Sequence, residues 1–333
     1  MSNPTLGVWQ MNDTLVGYTP AGSLAFVGIN PTRFSNGAWF EESTTNLFRN
    51  PRAAVDTAEV GVNSAATLTR VTDRSVVGPA SFRIERIAGG THGFYHNSKM
   101  TGFATSDPVT VSMQCESNDN LYVRIGLNTY TGGGALVSLL NGSIVAVPAS
   151  FDTVSATFTV PATATQVLPE FAFFSSGAGA ASATGTVAYA TVLQTEKKDH
   201  ATSYTDGSLG AGYASVGTLW ASAHTRAASS ASVTIAEPAA IACWYREAYS
   251  GAKSFAYIEP YGTLGTYGSI AYAAGDLTIS TTRNLVIGPF AAFDRALTAT
   301  EQANLRSTQN WTMNSVNGSN IILPLSGARR RRR

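Results

Sequence analysis

The sequence predicts an all-β protein: two β-sandwich, jelly-roll-like domains with an extended N-terminal arm and one short helix near the C-terminus. Three observations carry this. Only 13% of the residues are charged, against 31 glycines in 333 residues, which is a poor composition for long amphipathic helices. Apolar residues alternate with polar ones at a period of two over many short runs, the signature of half-buried strands. Between the runs stand Gly, Asn, Asp and Ser clusters of the kind that close strand connections.

The length accommodates two domains, each with its own core. Residues 1–45 read as an arm, because Asn3-Pro4, Thr19-Pro20 and Asn30-Pro31 interrupt any long element. Residues 46–206 read as the first sandwich. Its strand-like runs are 67–71, 81–87, 109–115, 121–127, 154–160, 167–173 and 187–193. Turn signals separate them at Gly89-Gly90, Asn118-Asp119-Asn120, Gly132-Gly133-Gly134, Asn141-Gly142 and 175–180. Residues 193–226 are poor in large apolar side chains, so the boundary is placed there. The second sandwich, 207–326, has runs at 232–235, 239–245, 254–258 and 284–287. Near its end Thr298-Ala299-Thr300-Glu301 forms a capping box. The Thr298 hydroxyl can accept from the amide of Glu301, whose carboxylate reaches back, and this starts a short helix to about Arg306. A tail, 327–333, follows.

Charge excludes some functions. The formal net charge of +1 depends on Arg329, Arg330, Arg331, Arg332 and Arg333. Without them 17 basic residues face 21 acidic ones, and no basic face suits nucleic acid. The arginine tail is the one exception: it could attract a polyanion without reading sequence. Its bland reading is a solvated tail. No apolar run reaches the ~18–20 residues of a membrane helix. The first residues, MSNPTLGVWQMNDT, have no basic region followed by an apolar one, which argues against a secretory signal. Cys115 and Cys243 each fall on the apolar parity of a strand-like run in a different domain, so both are expected as free core thiols.

Catalysis finds no support. The sequence has no Gly-x-Ser-x-Gly, His-Glu-x-x-His or P-loop motif, and Gly210-Ala211-Gly212 lacks the rest of a dinucleotide fingerprint. Glu41 and Glu42 are adjacent, so on a strand they point to opposite faces and cannot flank one glycosidic bond. Of the four histidines, only His92 and His96 are close together, with no carboxylate or cysteine to complete a metal set. The expectation is a non-enzyme without metal or cofactor.

A sugar-binding face has a physical case. Such sites need an aromatic surface for the apolar side of a pyranose and polar groups for its hydroxyls. In 121–128 the odd residues Leu121, Val123, Ile125 and Leu127 suit a core. The even residues Tyr122, Arg124 and Asn128 share the other face, expected to be an exposed concave sheet, with Gly126 between them. A nearby loop, 91–97, adds Phe94, Tyr95 and His96. The candidate glycan-binding residues are therefore Tyr95, His96, Tyr122, Arg124 and Asn128. The competing reading has Tyr122 covering core and Arg124 paired with a surface acid. Tyr257, Tyr261, Tyr267 and Tyr272 fit packing over sheet edges or at subunit contacts better than a binding surface.

Several ordered segments resemble bacteriophage minor tail and tail-fibre proteins. Pro31-Thr32-Arg33-Phe34, then Trp39-Phe40-Glu41-Glu42 and Thr45-Asn46-Leu47, is similar to a stretch that recurs in that family. Asn50-Pro51, Gly93-Phe94-Tyr95 and Gln194 with Ala201-Thr202-Ser203-Tyr204 resemble its carbohydrate-binding-module-like jelly roll. Asp206-Gly207 and Gly210-Ala211-Gly212-Tyr213 resemble the start of the following laminin-G/concanavalin-A-like sandwich. Gly288-Pro289-Phe290, Phe293-Asp294-Arg295-Ala296-Leu297 and the capped helix resemble its C-terminal signature. The resemblance implies a virion protein assembled in the bacterial cytoplasm and attached to other tail or capsid proteins through its N-terminal arm. It implies adhesion through weak binding of a host cell-surface glycan, in a homo-oligomer. A capsid decoration or head-fibre protein, and a polysaccharide depolymerase with accessory modules, are the alternatives.

Overall fold

The computed structural model describes residues 42–307 apart from 58, 203, 210–211, 220, 229, 235–236, 248–252, 260–261, 267 and 284. Before residue 42 it describes the backbone of five short strands, Thr5–Trp9, Gly17–Tyr18, Ala25–Val27, Thr32–Phe34 and Gly37–Phe40. The fold is all-β with one short helix. It divides into two compact units: Thr44–Arg226, and Met1–Ser43 together with Ala227–Arg333.

In the first unit two antiparallel sheets enclose a core. One sheet has the order Asp152–Thr159, Pro108–Glu116, Val187–Glu196, Ser81–Arg86, Ala66–Val71. The other runs Leu136–Ala146, Tyr122–Tyr130, Gln166–Phe174, His92–His96, Val60–Val62, with Met100–Thr101 also on Gln166–Phe174. The inward parity of each strand fills the space between the sheets: Val109, Val111, Met113 and Cys115 from one, Val123, Ile125, Leu127, Phe171 and Phe173 from the other. Phe94 stacks on Phe171 with ring centroids 4.5 Å apart. Burying rings of this size contributes about 2–3 kcal/mol each.

All seven strand-like runs of 46–206 are strands. Two turn or loop readings are not. Asn141-Gly142 lies within the eleven-residue strand Leu136–Ala146, at an irregularity where Arg124 pairs with Ile144 and Gly126 with Asn141. The dipeptide makes a β-bulge instead of a hairpin turn. The 91–97 segment contains the strand His92–His96, paired on both sides.

A second irregularity falls between Ser112 and Gln114 where they pair with Val187–Glu196. Val192 takes a φ of 55° there, a conformation a β-branched residue rarely adopts. The bulge switches the inward parity from Ala188 and Ala190 to Leu193. It turns Gln194 and Glu196 to a polar cluster in which Glu196 accepts from Thr44 Oγ1 (2.5 Å), Thr202 Oγ1 (2.5 Å), Gln194 Nε2 (2.6 Å) and the Thr202 amide (3.0 Å). Asn46 and Thr205 join it through Leu193 and Gln194. This explains in structural terms why the junction is rich in small polar residues.

The boundaries differ from those read in the sequence. The first unit extends to Arg226, because Tyr213–Ser215 and His224–Arg226 form a three-stranded sheet with Thr44–Asn46. The described N-terminal strands, in the segment read as an arm, pair with strands of the second unit. Thr5–Trp9 and Gly37–Phe40 both pair with Leu285–Phe293, and Ala25–Val27 pairs with Ser230–Thr234, so both sheets of the second unit include N-terminal strands. Backbone groups on the edges of those sheets need partners, and the N-terminal segment supplies them.

The helix Ala299–Ser307 starts as the capping box requires. Glu301 N–H donates to Thr298 Oγ1 at 3.3 Å, and Thr298 N–H donates to Glu301 Oε2 at 2.8 Å. Tyr257 packs at this end, its hydroxyl accepting from the Leu297 amide at 2.5 Å. Tyr261 and Tyr267 lie outside the described residues, as does the arginine tail. Cys115 and Cys243 are free and fully buried, one in each unit.

Candidate functional site

The Leu136–Ala146, Tyr122–Tyr130, Gln166–Phe174 and His92–His96 strands bring four of the five candidate residues, Tyr95, Tyr122, Arg124 and Asn128, to the outer face of their sheet. The alternation in 122–130 holds: Val123, Ile125, Leu127 and Thr129 are buried, while Tyr122, Arg124, Asn128 and Tyr130 are half-buried on the other side. Register then decides their neighbours. Tyr122 faces Phe174, Arg124 faces Ala172, Gly126 faces Glu170 and Tyr130 faces Gln166. Glu170 in turn faces Tyr95.

At the centre, Asn128 Nδ2 donates to Glu170 Oε2 at 3.0 Å. Gly126 gives the Glu170 side chain its place: a Cβ on residue 126 would lie 2.8 Å from Glu170 Cγ and 2.9 Å from Oε1. The Arg124 guanidinium carbon stands 5.4 Å from the centre of the Phe174 ring. No ion pair among the described residues includes Arg124. The pairing with a surface acid that would make it a plain structural residue is therefore not found. Arg124 Nε and Asn128 Oδ1 are both shielded and lack a protein partner.

Aromatic and apolar side chains frame these polar groups. Tyr122 lies under the 175–181 turn, where a Cβ on Gly177 would be 3.5 Å from Tyr122 Cε1. Tyr130 carries Lys99 Nζ at 4.0 Å from its ring centre, and that ammonium also donates to Gly134 O at 2.9 Å. Leu139, opposite Asn128, is 58% exposed, and Leu136 beside Tyr130 is 54% exposed. Tyr95 leans outward over Gly61, where a Cβ would meet its ring at 2.7 Å.

His96 is a correction. As the neighbour of Tyr95 on a strand it must point the other way, and it is buried in the core against Phe48, ring centroids 4.8 Å apart. Its Nδ1 lies 2.7 Å from Ser98 O, and burial lowers its pKa. His92 shares that inward parity, stacks on Phe173 and meets Ser182 Oγ at 3.0 Å. Burial and the nearby Arg86 bring its pKa down to about 4. Four residues apart on a strand, the two imidazoles are separated by about 13 Å along the chain, too far to share an ion. Among the described residues no group of three or more His, Cys, Asp or Glu is placed to hold a metal.

The sequence reading missed Glu170, Phe174, Tyr130 and Lys99. Glu170 had a local signal, an acid within the alternating 167–173 run. The others depend on which strands lie side by side.

No family model matches the sequence, and no curated protein matches it. Among solved structures the chain is similar to the enzymatically active domain of tailspike protein 4 from bacteriophage CBA120. That match has 12% identity and a TM-score of 0.37, and covers 45% of this chain and 21% of that one. It is similar to the CBM22-1 xylan-binding domain of Paenibacillus barcinonensis Xyn10C at 8% identity and a TM-score of 0.35, covering 46% of this chain and 91% of that one. It is also similar to the C-terminal family 22 carbohydrate binding module of Clostridium thermocellum Xyn10B, at 10% identity and a TM-score of 0.34, covering 46% and 90%.

Proposed function

We propose that the Thr44–Arg226 unit is a glycan-binding module and that the chain is a bacteriophage virion protein, of the tail or tail fibre, working in adhesion. One observation carries the binding reading. Arg124 Nε and Asn128 Oδ1 are shielded from water without a protein partner, on a face bordered by Tyr122, Tyr130 and Tyr95. The two side chains are only half-buried and spend little of their polar capacity on protein partners, so their accessible atoms can meet sugar hydroxyls while the rings take the apolar side of the pyranose.

Adhesion suits this face better than hydrolysis. Glu170 is the only acidic residue in the six strands of the sheet, whereas a glycosidase usually sets two carboxylates across one bond. The virion setting rests on the sequence resemblance. Attachment to tail or capsid proteins then involves the second unit, which contains the N-terminal strands. A single module with a millimolar dissociation constant contributes only about −4 kcal/mol, so useful adhesion requires many copies on one particle, as in a homo-oligomer.

The test is affinity electrophoresis of the full chain through gels containing host cell-wall and capsular glycans. Retardation is expected, and Asn128→Ala and Tyr122→Ala should reduce it with the melting profile preserved. Free migration of the wild type through every glycan would refute the binding reading.

A further inference from the structure

We infer that the ligand of this face carries a negative charge: an acidic glycan, with a carboxylate or a phosphodiester that Arg124 reads. This rests on the glycan-binding reading above and names the class of sugar. In the six strands of the sheet Arg124 is the only Arg or Lys, and Glu170 the only acid. The pair sits on diagonal positions of adjacent strands, Arg124 opposite Ala172 and Glu170 opposite Gly126. Long side chains at such positions can reach each other.

These two do not meet, and the reason is visible. Glu170 lies over Gly126, in space that any larger residue would fill, and Asn128 holds Oε2 at 3.0 Å. Its carboxylate is drawn along the strand toward Asn128, while Arg124 sits by the Phe174 ring at the other side. Across the sheet Arg124 has Ala172, then Gly93, on one side and Ile144 on the other, none able to neutralise it. The result is a guanidinium on an apolar floor, with a shielded Nε lacking a partner. Its planar fork matches a carboxylate or phosphate oxygen pair, and the apolar floor strengthens the attraction. Asn128 and Glu170 remain beside it for hydroxyls.

The experiment measures retention of the full chain on immobilised glycans in matched arms. Polygalacturonate is set against its methyl ester, and glycerol-phosphate teichoic acid against neutral dextran and xylan. Wild type should hold at least one acidic arm about tenfold more tightly than its neutral counterpart, and added salt should weaken it. Arg124→Gln should abolish the preference, and Arg124→Lys should keep only part of it. Glu170→Gln, which removes a like charge, should tighten acidic binding. The arm that is retained identifies the anion. Equal retention of acidic and neutral glycans, or an acid preference unchanged in Arg124→Gln and Glu170→Gln, overturns the charge reading and leaves glycan binding standing. Retention on none of the arms, neutral or acidic, overturns both.

Discussion

Three buried histidines are expected to weaken the first unit as the pH falls. His92, His96 and His224 all have lowered pKa values, with burial the largest cause in each. The sign follows from linkage. Below pH 6.5 an unfolded histidine takes up a proton that the folded one refuses, so stability falls as the pH drops. For His92 the window runs from 6.5 down to about 4. Urea midpoints between pH 7 and pH 4.5 should therefore fall for wild type and fall less for His92→Gln. An equal fall in both would show that His92 does not contribute. The cysteines predict a simpler outcome. Burial pushes the Cys115 thiol up to about 12 and Cys243 higher still, so neither should react with a thiol reagent at pH 8 until the chain is unfolded.

At the scale of the element, two polar devices hold chain ends in place. At the start of the helix Ala299–Ser307, Arg295, which precedes it, forms a two-pronged pair with Glu301, Nη2 to Oε1 at 2.7 Å and Nη1 to Oε2 at 3.0 Å. With the Thr298 bonds this lowers the Glu301 pKa from 4.5 to about 2. Its contribution is present above pH 4.5 and is lost as pH falls toward 2, a window below that of the histidines. Thr298→Ala should cost about 1 kcal/mol, seen as a lower melting temperature of the second unit only. In the first unit, Glu196 is surrounded by four donors. Glu196→Gln places an amide NH₂ against the Gln194 amide and the Thr202 N–H, and should cost about 2 kcal/mol. A substitution without effect on the denaturant midpoint would mean the cluster is not needed to anchor Thr202 and Thr205.

At the scale of the whole molecule, the described residues of the larger core cluster all fall within Thr44–Arg226. The second unit takes strands from both ends of the chain. Removing residues 1–43 should therefore unfold the second unit and leave the first intact. Limited proteolysis of that truncation should release a resistant fragment near 44–226 and degrade the remainder. Two protected fragments would show that the N-terminal strands are dispensable. The same connectivity means that an insertion within residues 1–43 would disturb the far end of the sequence.

What the sequence determined by itself was what neighbours along the chain can express. Period-two alternation was enough for the all-β class, for seven of the strands in 46–206 and for the outward placement of Tyr122, Arg124 and Asn128, because successive strand residues face opposite ways. Thr298 and Glu301 were legible as a helix start because the whole device lies within four residues. The tertiary structure decided everything that depends on pairing between distant segments. It turned Asn141-Gly142 from a turn into a bulge, made 92–96 a paired strand and so put His96 in the core beside Phe48, and paired the described N-terminal strands with the second unit. It also set Glu170 over Gly126 and away from Arg124. Strand order and register come from long-range burial and backbone hydrogen bonding, and a one-residue change in register reverses every face. No stretch of this sequence carries that information alone.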